Sequence, residues 1–253
     1  MKKVLLKNVI QTAVALGVLL LAWICLYFCV GNPVLVPAPW GCVKEFGVLF
    51  ASGGFWQGFF ATLGRTFLAF IISFVFAVIF AVIAYLYPTF RGVFTPIVSA
   101  FRSVPVLAVV LILLSVFGGG ATPVIVAFLS LFPMLFTGVL TALLSIDRHF
   151  IETSKVYGAS WLARVGRVYL PMSAPYVLRE AGAAISFSLK LVVSAEVVAM
   201  TAGSLGYMMQ DAKAWGEIPQ LFALVVLVFA VGLILELIFA AIVSKFDYQK
   251  AGE

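Results

Sequence analysis

Read along the chain, apolar positions gather into six long unbroken runs: Val9 to Val30, Leu63 to Tyr87, Pro96 to Phe117, Pro123 to Leu144, Pro175 to Ala199 and Gln220 to Val243. Each is close to the roughly 20 residues that a helix needs to cross a hydrocarbon core. Inside that core a backbone has no water to bond, so a spanning segment is a helix or part of a closed barrel. The runs are continuous, not alternating, which selects helices over barrel strands. Thr95-Pro96 and Thr122-Pro123 place a hydroxyl and then a proline where a helix cap and first turn are expected. One polar, basic segment, Asp147 to Pro171, separates the fourth run from the fifth.

Composition fixes the solvent. Hydrophobic residues make up 64% of the 253 residues and charged residues only 10%, against about 25% in soluble domains. The expected fold is therefore all-α, a polytopic membrane bundle of about six transmembrane helices, with no large soluble domain. Residues 1–61 form an N-terminal anchor followed by an interfacial segment, and residues 62–253 form the core, with a loop at 147–171. Trp40 and Trp56 suit an interfacial belt beside a short surface helix between Asn32 and Thr62. The first run is too long for a signal-peptide core and reads as a retained anchor.

In the six-span arrangement Lys2, Lys3, Lys7, Arg91, Arg102, Arg148, Lys155, Arg164, Arg167, Arg179, Lys245 and Lys250 fall on one side. By the positive-inside rule both termini and the 147–171 loop are cytoplasmic. The net charge of +6 is thus a topology signal, and cations spread over short loops do not make a nucleic-acid surface. Cys25 and Cys29, one helical turn apart, read as apolar burial within the first span, and His149 as a solvated loop residue without metal-ligand spacing. No lysine follows a glycine, so the phosphate-cradling G-x-x-x-x-G-K-[ST] loop is missing, and Gly118-Gly119-Gly120 reads as a tight turn between two helices. Any energy source lies in another subunit.

The polar segment has its own pattern. Phe150, Ile151 and Tyr157 share a face in a first short helix, and Glu152 can pair with Lys155 on another. From an N-cap at Ser160, the residues Trp161, Leu162, Val165, Val168 and Tyr169 recur at helical spacing, with Arg164 and Arg167 on a different face. Gly158 lets the two helices meet at a sharp angle, and Pro171 ends the second. The result is a hook projecting from the membrane. The residues between Gly203 and Pro219, with Asp211, Lys213 and Glu217, form an external loop.

Glu152-Thr153-Ser154, Gly158 and Val168-Tyr169-Leu170-Pro171 match, in spacing, the E-A-A, three residues, G, nine residues, I-x-L-P signature of the membrane-spanning subunits of bacterial ABC importers. Thr153, Ser154 and Val168 are the departures. The chain resembles that binding-protein-dependent family from about Thr62 to Val243, and Arg102-Ser103-Val104-Pro105, Tyr157-Gly158-Ala159-Ser160 and Ser194-Ala195-Glu196 are most similar to its nitrate, sulfonate and taurine branch. The resemblance implies a permease subunit, not an enzyme, that imports a small polar organic or inorganic solute (sulfonate, nitrate, taurine or vitamin-precursor type) by alternating access. It implies a coupling element of Glu152, Lys155, Gly158, Ala159, Leu170 and Pro171 docked on a dimer of ATP-binding cassette subunits. That dimer, not this chain, would bind ATP and Mg. The other implied partners are a second permease copy or related subunit, an extracytoplasmic solute-binding protein and membrane lipid, with the chain in the bacterial cytoplasmic membrane.

Charges inside spans cost about 2.5–3.5 kcal/mol each on insertion scales, which makes them functional candidates. Lys190 and Glu196 in the fifth span divide between lining a translocation pathway and bonding between helices, while Arg65 and Glu236 read as structural. The alternative class is a secondary carrier or channel that needs no ATPase.

Overall fold

The computed structural model describes the backbone of residues 2–251 and the side chains of residues 14, 15 and 17–243. The lysines at 2, 3, 7, 245 and 250 lie outside those side-chain bounds. Ten α-helices follow one another: α1 Lys2–Val30, α2 Pro39–Ala51, α3 Gly53–Leu86, α4 Pro88–Arg102, α5 Val106–Leu144, α6 Arg148–Val156, α7 Trp161–Arg164, α8 Leu170–Ala199, α9 Leu205–Trp215 and α10 Ile218–Ala251. Among the described residues there is no strand. Among the described residues four stretches are long and apolar enough to cross a membrane: Gly53–Leu86, Val106–Leu144, Trp161–Ala199 and Ile218–Val243; the described apolar part of α1, Gly17–Val30, is shorter.

Small residues let the spans approach. Along α3, Thr62, Thr66, Ala69, Ser73, Ala77, Ala81 and Ala84 are fully buried at spacings of three and four, a stripe that brings α5 and α8 close to its backbone. Lipid offers no hydrophobic drive between helices, so such packing and hydrogen bonds hold the bundle. Ser188 Oγ donates to the Thr66 carbonyl at 3.0 Å, and Ser186 Oγ donates to the Gly232 carbonyl at 2.9 Å, fastening α8 to α3 and α10. The rings of Phe80, Phe94, Phe132 and Phe136 fill the junction of α3, α4 and α5.

α5 is a hairpin. Gly118 holds φ +70° and ψ 175°, and Thr122 Oγ1 donates to its carbonyl at 2.7 Å. Val110 and Val126 would stand about 24 Å apart on one straight helix, yet both are buried in a single cluster with Ala195. The glycine turn is therefore where the sequence places it, and Val106–Phe117 and Gly119–Leu144 are its two arms. A Cβ at Gly118 would meet no atom within 4 Å, so the cost of a side chain there is backbone strain alone. Gly118→Ala is expected to destabilise by about 1–2 kcal/mol, read as a lower Tm with the fold retained.

Several expected boundaries move. The run Pro96 to Phe117 is not one helix: α4 ends at Arg102, and α5 starts at Val106 after Pro105, whose missing N–H and fixed φ interrupt the helix. Pro96 lies inside α4 and Pro123 inside α5, so neither Thr-Pro pair starts a helix. α3 begins ten residues ahead of Leu63, at Gly53. The expected loop after Gly203 is mostly helix, because Ser204 Oγ accepts from Tyr207 N–H at 3.0 Å and Gly216 closes α9 in a left-handed conformation. Cys25 and Cys29 lie exposed on the flank of α1, and the buried cysteine is Cys42.

Candidate functional site

The hook forms from local signals. Asp147 caps α6, its carboxylate accepting from His149 N–H at 2.9 Å. At the other end Ala159 N–H reaches the Ser154 carbonyl at 3.0 Å and Gly158 N–H the Lys155 carbonyl at 2.9 Å, the paired bonds of a Schellman ending. That ending needs a left-handed residue, and Gly158 supplies it at φ +70°. Ser160 Oγ then accepts from Ala163 N–H at 3.3 Å and starts α7.

Pro171 does not end the second helix. A five-residue π-helical turn, Val165–Tyr169, joins α7 to α8, with Leu170 N–H bonded to the Val165 carbonyl. The wider turn absorbs the carbonyl that the Pro171 ring would strike in a regular helix, so the chain runs helical from Trp161 to Ala199. Leu170 and Pro171 thus begin the long helix and are exposed.

The faces of the hook also differ from the simple pattern. Ile151, Val168 and Tyr169 pack on the core, and Trp161 sits 5.8 Å from Tyr169. Val156 and Tyr157 are each 85% exposed and Leu162 80% exposed, so the tip around Gly158 presents apolar side chains outward. Glu152 and Lys155 are exposed without forming an ion pair, and Ala159 is half-buried. Exposed apolar groups beside free charges mark a surface built to be covered.

Within the bundle the two pathway candidates part. Glu196 is fully buried: Arg65 Nη1 lies 2.8 Å from its Oε1, Thr62 Oγ1 donates to its Oε2 at 2.9 Å, and Gly206 N–H approaches the same oxygen at 3.3 Å. Leu205 N–H in turn donates to Thr62 Oγ1 at 3.0 Å, so one carboxylate ties α3, α8 and α9 together. Arg65 is held by this pair, in the structural role its sequence position suggests. Lys190 is exposed on the open side of α8, in register with Tyr176, Arg179, Ala183, Phe187 and Ser194. These positions recur at spacings of three and four, while the other faces of α8 are covered.

The sequence pattern carries Arg102 through one continuous run, Pro96 to Phe117. It stands at the end of α4, next to Phe101, which lines a cavity with Leu129 and Ser130 near the middle of the second α5 arm. Arg102 is exposed there, beside non-helical backbone at Ser103 to Pro105. Pro105 inside an apolar run is the signal that marks the break.

A bundle of long apolar helices with a protruding, partly apolar hook defines a polytopic membrane subunit with a surface for a partner. The family described as binding-protein-dependent transport system inner membrane component matches residues 73–248, and the chain belongs to it. It is 27% identical over 204 residues to a probable ABC transporter permease protein of Brucella melitensis, covering 80% of this chain and 82% of the relative. It is 26% identical over 212 residues to the taurine transport system permease protein TauC of Escherichia coli, covering 81% and 77%. Its fold is similar to that of the MetNI methionine ABC transporter in inward-facing form, with a TM-score of 0.64 at 22% identity, covering 75% of this chain and 94% of that one. A bacterial ABC transporter involved in the import of the acidic polysaccharide alginate gives a TM-score of 0.66 at 17% identity over 95% and 98%. The chain is thus an ABC importer permease subunit of type I fold, and hydrolysis of ATP belongs to a separate subunit.

Proposed function

We propose that the hook is the coupling element of this importer: Glu152, Lys155, Gly158 and Ala159 seat it in a groove of a cytoplasmic ATPase subunit. Leu170 and Pro171 carry its motion into α8. The apolar, protruding tip is the observation that supports this reading most directly. Because α7 runs into α8 without a break in helical structure, a push on the tip becomes a tilt of a membrane-spanning helix. Both termini and the hook face the cytoplasm of a bacterial inner membrane. The ATPase dimer takes up ATP and Mg, a second permease copy or relative completes the pathway, and an extracytoplasmic binding protein delivers the solute near α9.

The solute is a small polar molecule of the sulfonate, nitrate, taurine or vitamin-precursor kind. Its path follows the open side of α8 past Lys190 and the helix break at Arg102, two exposed cations. Glu196 acts as the interhelical clamp and not as a pathway group.

Glu152→Arg and Gly158→Leu test the hook. Each is expected to remove the ATPase from affinity-purified permease and to cut solute uptake at least tenfold, while the permease itself stays folded in the membrane. Gly158→Ala, which carries only the strain of a left-handed residue, retains much of the complex. Undiminished co-purification of the ATPase with Gly158→Leu would overturn the reading.

A further inference from the structure

We propose that the cleft behind the hook binds an anionic phospholipid of the cytoplasmic leaflet, with an acyl chain in the cleft and the phosphate on Arg164 and Arg148. The cleft has a volume of about 410 Å³ and is walled by Val78 and Val82 of α3, Val139 and Leu143 of α5, and Val177 and Leu178 of α8. Of its three hydroxyls, that of Ser173 donates to the Tyr169 carbonyl at 2.7 Å and those of Tyr85 and Tyr169 meet each other, so water finds few free partners inside. Apolar cavities of about 150 Å³ take a benzene ring, and this larger one suits a run of methylenes.

The mouth points to the source of that chain. Leu86, Trp161 and Leu170 edge it with 41%, 44% and 59% of their surfaces exposed, at the end of α3 where the spanning segment stops. A membrane lipid reaches such a rim by lateral diffusion, its headgroup level with the hook. Two cations wait there. Arg164 lies with its guanidinium 5.6 Å from the Trp161 ring centre, and its Nε is buried without a hydrogen-bond partner. A guanidinium never loses its proton, so a buried, unmatched N–H of this kind calls for an acceptor such as a phosphate oxygen. Arg148 is near enough to act on the Tyr85 hydroxyl on the same wall, and Tyr85 packs edge-on to Tyr169 at 5.7 Å. The neighbouring acid, Asp147, caps α6 through His149 N–H and keeps its charge, so with Arg148 and Arg164 the rim stays positive on balance.

Regulation follows from position. The cleft wall includes Val165 and Tyr169, the two ends of the π-helical turn that joins hook to span. π turns recur where function needs an adjustable helix. A lipid chain there props the turn open, so anionic lipid sets how firmly hook motion is passed to α8. This inference rests on the cytoplasmic placement of the hook.

The assembled transporter, permease with ATPase, is purified from membranes, washed in detergent and assayed for retained phosphatidylglycerol and phosphatidylcholine by mass spectrometry. The expected result is about one phosphatidylglycerol per permease chain, falling at least fivefold in Arg164→Gln and in the cleft-filling Ala174→Phe, with the ATPase still bound. In nanodiscs, solute-stimulated ATP hydrolysis of the wild type rises severalfold when phosphatidylglycerol replaces phosphatidylcholine, and Arg164→Gln loses that rise. Equal retention in all three proteins, or equal retention of both lipids, overturns the proposal. So does a photo-crosslinker at Ala174 that captures an ATPase polypeptide and not lipid. Loss of the ATPase from Gly158→Leu with lipid retention unchanged separates the two readings.

Discussion

Arg65→Leu is expected to lower the stability of the purified permease by about 3–5 kcal/mol, the usual cost of stripping one partner from a buried ion pair. The carboxylate of Glu196 would remain fully buried, with one hydroxyl from Thr62 and one N–H from Gly206 as its remaining partners. The converse change is milder. In Glu196→Gln, the Arg65 side chain, 21% exposed, can turn outward and regain polar surroundings, whereas the introduced amide keeps an acceptor oxygen for Thr62. The double variant Arg65→Leu with Glu196→Gln is expected to be more stable than Arg65→Leu alone, because no unpaired charge is left behind. Thermal unfolding in one detergent ranks the set. Equal melting temperatures for Arg65→Leu and Glu196→Gln would show that the pair does not carry the junction of α3, α8 and α9.

That junction is the part of the molecule that sequence reading handles worst. Arg65 and Glu196 are 131 residues apart, and no local pattern joins them. A six-residue offset within one helix says only that Lys190 and Glu196 do not pair; the third charge that settles the matter lies on another element. The hook is the opposite case. Its cap at Asp147, its left-handed Gly158 and its second cap at Ser160 are all written within a few residues of where they act, so two helices and their sharp connection follow from spacing alone. Pro171 misleads for a physical reason: a proline ends a regular helix, but a π turn that closes two residues earlier removes the clash. Likewise an apolar run shows length but not continuity. Arg102 and Pro105 divide Pro96 to Phe117, and the lipid-like composition on both sides hides the break from a hydropathy pattern.

The same junction makes Gly206 the least replaceable glycine among those described. A Cβ there would lie 2.6 Å from the Val197 amide nitrogen and 2.8 Å from the Glu196 carbonyl carbon, both backbone atoms of α8 that no rotamer change can move. Gly206→Ala must therefore shift α9 away from α8, lengthening a 3.3 Å bond from Gly206 to Glu196 that has little to spare. Overpacking of this kind costs about 1–3 kcal/mol. Gly58→Ala is the control, since its Cβ would stand 3.3 Å from the Ser204 carbonyl carbon on the α3 side of α9 and needs a displacement of only a few tenths of an ångström. Solute uptake is expected to fall at least tenfold in Gly206→Ala and to stay near wild type in Gly58→Ala, with the ATPase bound to both. Because α9 stands at the opposite end of α8 from the hook, uptake lost with the ATPase retained locates the defect at the far mouth of the pathway; uptake preserved in Gly206→Ala would mean that α9 can leave α8 without consequence for transport.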